Sequence, residues 1–330
     1  MVFDLELIKS ITMGAESIVS DNGVFKFLRF TGDELKTTDN INLLYTSGVQ
    51  MEFETDGTVL NMSVNTKKNP EGSRSCFAFD VFVNGEFSGS IKNFDDALCV
   101  GGFAGKEYKL GSFKGEFSLG DGKKKVRIVF PHSTIGEIEK IEVTDATFVL
   151  PIKRDKTIVA YGDSITQGYD ALHPVNTYTM RLADYFDAEL FNKGLGGEKF
   201  PPEMAKVKNN KTPEFVTVAY GTNDWWSSNR ETVKKDADEF LFNLEKNYPD
   251  IPVFVITPIW RKDFESVTKF GKFSEMETLI KDICKKYKNV RVISGFDLVS
   301  HDENCFGDLR LHPNDKGFEH YFENLAKQIN

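Results

Sequence analysis

The sequence predicts two units: an all-β sandwich or jelly roll, then an α/β unit whose parallel sheet carries helices on both faces. Three observations predict this. Up to about residue 150, short runs alternate apolar and polar with period two, and Gly-containing turn dipeptides separate them. From about residue 151, short apolar runs alternate with longer amphipathic ones, the pattern of strand–helix–strand crossovers. The chain has 330 residues, long for one domain and sufficient for two. The expected division is 1–150 for the β unit and 151–330 for the α/β unit.

In the first unit, residues 24–30, 49–53, 59–64 and 77–83 read as strands with one apolar face. Residues 125–130 and 140–144 add two more. Asp56-Gly57, Asn84-Gly85 and Asp121-Gly122 supply turns. No stretch in this half has a helical period. Lys123, Lys124 and Lys125 follow a turn and read as solvated, and His132 reads as a surface histidine.

In the second unit, residues 157–160, 189–192, 215–220, 253–257 and 290–293 read as five buried strands. Residues 178–186, 231–247, 272–287 and 316–329 read as the helices between and after them. Ligands of such sheets bind beyond the carboxyl ends of the strands. The loops there are Gly162-Asp163-Ser164, the stretch from Asn192 to Gly197, and Gly221-Thr222-Asn223-Asp224.

Composition excludes several roles. The net charge of −9 and the lack of a basic stripe argue against a nucleic-acid partner. Cys76, Cys99, Cys284 and Cys305 are far apart and form no metal or disulfide pattern. No long apolar run and no basic leader occur, so no membrane partner and a cytoplasmic location are expected. Oligomeric state is not legible.

A serine between a buried strand and a helix has its hydroxyl in a crevice beside helix N–H groups. Alone, Gly-Asp-Ser is also an ordinary turn with a good cap. The other loops add a close-approach backbone, a side-chain amide and, at His312, an imidazole. Acyl transfer needs such a set: a nucleophile, oxyanion donors and a general base. These blocks resemble the SGNH (GDSL-type) hydrolase superfamily, which would give the second unit a flavodoxin-like fold. The resemblance implies Ser164 as nucleophile and His312 as base. It implies an oxyanion hole from the N–H groups of Ser164 and Gly197 and the amide of Asn223, with no metal or cofactor.

One position departs from the family pattern. The expected aspartate three residues before the histidine is Leu309, and Asp308 stands one residue earlier. Asp308 reaches the imidazole if the loop carries a one-residue bulge; otherwise a backbone carbonyl orients His312. Carbohydrate esterase family two contains such dyads and pairs a β-sandwich with an SGNH domain, so the chain resembles it too. That likeness implies removal of small acyl groups, chiefly acetyl, from an acylated oligosaccharide. Trp225, Trp226 and Trp260 fall in strand-end loops, where they either offer a sugar platform or pack under the sheet. A lipid esterase, lysophospholipase or thioesterase would share the machinery, and a carbohydrate-binding protein with a relict site is the non-enzymatic alternative. The β unit is expected to wall the cleft.

Overall fold

A computed structural model describes residues 1–95 and 105–329; Cys99 lies outside them. The chain opens with a helix, α1 (Leu5–Ile11), in a half read from sequence as β throughout. The Asp4 carboxylate caps it by accepting from the Leu7 N–H, and Ile8 and Ile11 are buried. Seven residues are too few to display a period.

The strands that follow are β1 (Thr12–Met13), β2 (Ser17–Asp21), β3 (Val24–Leu28), β4 (Gln50–Thr55), β5 (Val59–Lys67) and β6 (Ala78–Val83). Then come β7 (Glu86–Lys92), β8 (Gly111–Ser118), β9 (Lys124–Val129), β10 (Ile135–Thr144) and β11 (Val149–Pro151). One antiparallel sheet runs β1-β4-β9-β6-β7, with β11 added against β4; the other runs β2-β3-β10-β5-β8. Phe27, Met51, Phe53, Leu60, Met62, Val64, Phe79 and Ile128 from both sheets fill the space between them. Asn22 and Gly23 both have positive φ, as do Asn84 and Gly85, so each pair closes a two-residue hairpin. Sequence reading missed β1, β2, β7, β11 and β8. The last is an edge strand with two glycines and two serines, poor in strand formers.

Two further readings of this half are corrected. Lys124 is buried and donates to the carbonyls of Gly57 and Gly120. His132 is also buried, with Nε2 3.1 Å from the carbonyl of Ala171. Burial pushes its pKa down to about 4.

The second half contains β12 (Lys156–Gly162), α2 (Ser164–Gln167), α3 (Tyr178–Tyr185), β13 (Ala188–Gly194), β14 (Phe215–Ala219) and α4 (Thr222–Ser227). It continues with α5 (Arg230–Asn247), β15 (Val253–Ile256), α6 (Ser274–Cys284), β16 (Val290–Ile293) and α7 (Asp315–Ile329). All pairings are parallel, in the order β13-β12-β14-β15-β16, which is the flavodoxin-like order. Val159 and Tyr161 pack towards α5 and α6, while Ile158 and Ala160 pack towards α3 and α7. That two-sided burial explains the unbroken apolar runs.

Buried polar contacts tie the halves together. Arg29, between β3 and β4, donates to the carbonyls of Asn192 and Gly194 at 2.6 and 3.2 Å. Lys193, fully buried, pairs with Glu16 at 3.0 Å and Glu34 at 2.8 Å. The segment between β3 and β4 therefore lies fixed over the carboxyl end of β13.

Candidate active site

The order of the strands reverses between β12 and β14, and their carboxyl ends open the crevice there. Asp163 leaves β12 and caps α2, accepting from the Ile165 N–H at 2.9 Å. Its carboxyl is fully buried, which raises its pKa to about 6 against the pull of that N–H and of His312. Ser164, the first residue of α2, keeps its hydroxyl at the cleft, 2.8 Å from His312 Nε2.

His312 Nδ1 lies 2.8 Å from Asp308 Oδ2. An ionised carboxylate only accepts, so Nδ1 carries the proton and Nε2 faces the serine with a lone pair. The other oxygen, Oδ1, accepts from the N–H groups of Arg310, Leu311 and His312 at 3.0, 2.7 and 3.1 Å. Burial opposes ionisation of Asp308, but the bonds from His312 and the loop amides outweigh it and hold the carboxyl well below the usual range.

The loop accommodates the displaced aspartate through Leu309, which has φ of +55°. A left-handed leucine is uncommon and costs about 1–2 kcal/mol. The Gly307 N–H bonds the carbonyl of His312 at 2.8 Å and closes the loop around the extra residue. The one-residue bulge is therefore present, and a carboxylate rather than a carbonyl faces Nδ1.

Gly197 sits on the loop after β13 with φ of +78°. An added Cβ would meet nothing within 4 Å, so the backbone conformation, not space, calls for glycine. At Gly221, which caps α4, φ is +122° and a Cβ would lie 2.8 Å from Pro258. That tight turn delivers Asn223, whose Nδ2 donates to the carbonyl of Glu198 at 2.9 Å and keeps a second N–H. The next residue, Asp224, is buried beneath the loop; burial raises its pKa to about 7, against the N–H of Phe200.

Ser164, Gly197, Asn223 and His312 line one cleft of about 430 Å³. The β half supplies much of its wall: Asp39, Asn40, Ile41, Asn42, Glu71 and Arg74. Asn40 and Asn42 donate to the carbonyl of Gly196 at 3.1 and 3.2 Å, clasping the Gly197 loop. Gln167 accepts from the Gly196 N–H at 2.7 Å. None of these supports was read from sequence. Gln167 and Tyr169 flank the serine block and could have been suspected, but Asn40, Asn42 and Arg74 lie in loops with no pattern.

The tryptophans need correction. Trp225 is fully buried, with Nε1 donating to the carbonyl of Gly271, and Trp260 is 6 % exposed and stacked on His301. Both fill the layer between sheet and helices, because the bulkiest apolar side chains at strand ends complete that core. Trp226 is 53 % exposed, one turn along α4 from Asn223, with the Arg310 guanidinium 5.3 Å from its ring. A larger cleft, about 610 Å³, lies between Pro258, Phe273 and Phe296, away from the serine.

Residues 160–320 match the model of the GDSL-like lipase/acylhydrolase family. No curated protein matches the chain. Among solved structures, the fold is similar to a salicylyl-acyltransferase, SsfX3, from a tetracycline biosynthetic pathway. That match has a TM-score of 0.79 and 16 % identity, and covers 96 % of this chain and 93 % of that one. A family two carbohydrate esterase from Clostridium thermocellum, in complex with cellohexaose, aligns with a TM-score of 0.66 at 14 % identity, covering 86 % and 92 %. An acetyl xylan esterase from the rumen bacterium Butyrivibrio proteoclasticus aligns with a TM-score of 0.64 at 14 % identity, covering 100 % and 97 %. Among the described residues, no helix is long and apolar enough to cross a membrane.

Proposed function

We propose that the protein is a carboxylic ester hydrolase that removes acetyl or other small acyl groups from a carbohydrate, a reading supported by the match of residues 160–320 to the GDSL-like lipase/acylhydrolase family. The observation that carries the mechanism is the continuous line from Ser164 Oγ to His312 Nε2, 2.8 Å, and from His312 Nδ1 to Asp308, 2.8 Å, opening on the cleft. In this reading His312 takes the hydroxyl proton as Ser164 attacks the ester carbonyl. The N–H groups of Ser164 and Gly197 and the free N–H of Asn223 Nδ2 receive the oxyanion, each donor contributing about 3–4 kcal/mol. His312 returns the proton to the leaving alcohol. Water, activated the same way, then releases the acid.

Support for a sugar comes from the cleft wall, where Asp39, Asn40, Asn42, Glu71 and Arg74 outnumber Ile41 and Leu311. Carboxylates and amides suit hydroxyl groups, whereas a long acyl chain needs an apolar tunnel. Exposed Trp226 offers a face to a sugar ring beyond the cleft. The neighbours that are a carbohydrate esterase and an acetyl xylan esterase favour the same reading. The test is a deacetylation screen on acetylated xylo-, manno- and gluco-oligosaccharides, with nitrophenyl esters of rising chain length and a Ser164→Ala control. Activity on acetate that collapses at octanoate fits the proposal. The reverse preference moves the protein to a lipid esterase, and undiminished turnover by the control removes Ser164 from the chemistry.

A further inference from the structure

His312 faces two carboxylates, not one. Asp308 bonds Nδ1, and Asp170 Oδ2 stands 4.0 Å from the same nitrogen. The Asp170 side chain is wholly buried in the loop after α2, at φ of +68°. Its position is fixed from both sides. A Cβ on Gly307, beside Asp308, would lie 2.6 Å from the Cβ of Asp170, so the two acidic loops pack directly together. From the β half, Arg74 forms a two-pronged pair with Asp170, Nε to Oδ1 at 2.9 Å and Nη2 to Oδ2 at 3.2 Å. Arg74 is itself 4 % exposed, and its guanidinium lies 4.8 Å from the centre of the Tyr169 ring. That ring lies 5.6 Å from the His312 ring.

A carboxylate within about 4–6 Å raises an imidazole pKa, typically by one to three units. A second uncompensated carboxylate would further favour the imidazolium, and an imidazolium cannot accept the serine proton. The imidazole nitrogen and both carboxylates crowd within 4.8 Å of one another. Arg74 is a cation already in place.

We infer that Arg74 is a positioning residue contributed by the β half, which neutralises Asp170 so that this second carboxylate beside Nδ1 does not add to the basicity that Asp308 gives His312. The inference rests on His312 being the general base. Other charges facing the imidazole do not replace this pair. Asp163, next to Ser164 in the chain, is buried and also feels the His312 charge, and Asp39 and Glu71 are exposed on the cleft wall. The β half, on this view, holds part of the electrostatics of the site as well as its wall.

The test is a charge cycle read by pH. Arg74→Gln leaves Asp170 uncompensated, so the acid limb of kcat/KM moves up by about one pH unit or more. Asp170→Asn leaves the cation facing His312, so the limb moves down. The double variant returns towards wild type, and Arg74→Lys holds the limb near its original place. Opposite shifts from the two halves of one pair are not produced by a merely structural role. The same midpoints are read by NMR titration of His312 in a Ser164→Ala background, which needs no turnover. A failed esterase assay and a failed ion-pair inference are therefore distinguishable. If Arg74→Gln does not fold, Asp170→Asn decides alone. NMR midpoints unmoved within about 0.2 pH unit, or moved the same way by both substitutions, overturn the inference.

Discussion

Replacing Asp308 by Asn isolates the contribution of the carboxylate from that of the loop. Asparagine keeps an Oδ1 to accept from the N–H groups of Arg310, Leu311 and His312, so the bulge around Leu309 stays in place. What changes is the oxygen 2.8 Å from His312 Nδ1, which becomes an amide donor. Nδ1 must then accept, the ring proton moves to Nε2, and Nε2 can no longer take the proton of Ser164. The charge is lost too. At about 4 Å between charge centres and an effective dielectric of about 20, that attraction is worth about 4 kcal/mol to the imidazolium. Triads that lose the aspartate in this way slow by about 10⁴-fold, or about 5.4 kcal/mol. The expected result is a fall in kcat of about 10³–10⁴ with little change in KM, since Asp308 is not among the residues that line the cleft. Asp170 provides no substitute while Arg74 holds it. The assay is steady-state hydrolysis of nitrophenyl acetate, with a thermal melt to verify folding. A kcat within about threefold of wild type would show that Asp308 has no part in orienting the base.

Three further outcomes follow from the geometry. Leu309→Gly relieves the left-handed strain at φ of +55° and leaves stability unchanged or up to about 1 kcal/mol higher, whereas Leu309→Val, β-branched, lowers both the melting temperature and kcat; equal behaviour of the two would contradict the bulge. His132 keeps its pKa near 4 when folded and regains about 6.5 when unfolded, so its contribution is complete above about pH 6.5 and fades towards pH 4, by about 3 kcal/mol; denaturant melts across that range should be flatter for His132→Gln. Trp226→Ala should raise KM for an acetylated oligosaccharide at least about threefold more than for nitrophenyl acetate, and an equal change for both would remove Trp226 from sugar binding.

The parallel sheet was legible because its strands are buried on both faces and read as unbroken apolar runs, such as 157–160. Ser164, Gly197, Asn223 and His312 stood out because each sits at a strand end or in a loop where glycine or a turn marks the backbone. Asp308 was ambiguous, because spacing cannot report that Leu309 turns left-handed. Partners fixed by tertiary packing were invisible. Arg74 is 96 residues from Asp170, and nothing in its loop marks it for a buried pair. The same limit hid the burial of Lys124, where three backbone carbonyls replace water around an ammonium group. It also misplaced Trp225, since an aromatic beside a catalytic loop looks the same from sequence whether it faces solvent or core.

The central claim is that Ser164 is a nucleophile activated by His312. Labelling with a small fluorophosphonate, followed by intact mass and peptide mapping, tests it most directly. The account predicts a single adduct on Ser164, absent in Ser164→Ala and formed far more slowly in Asp308→Asn. An adduct elsewhere, or none on Ser164 in a protein that hydrolyses nitrophenyl acetate, would contradict it.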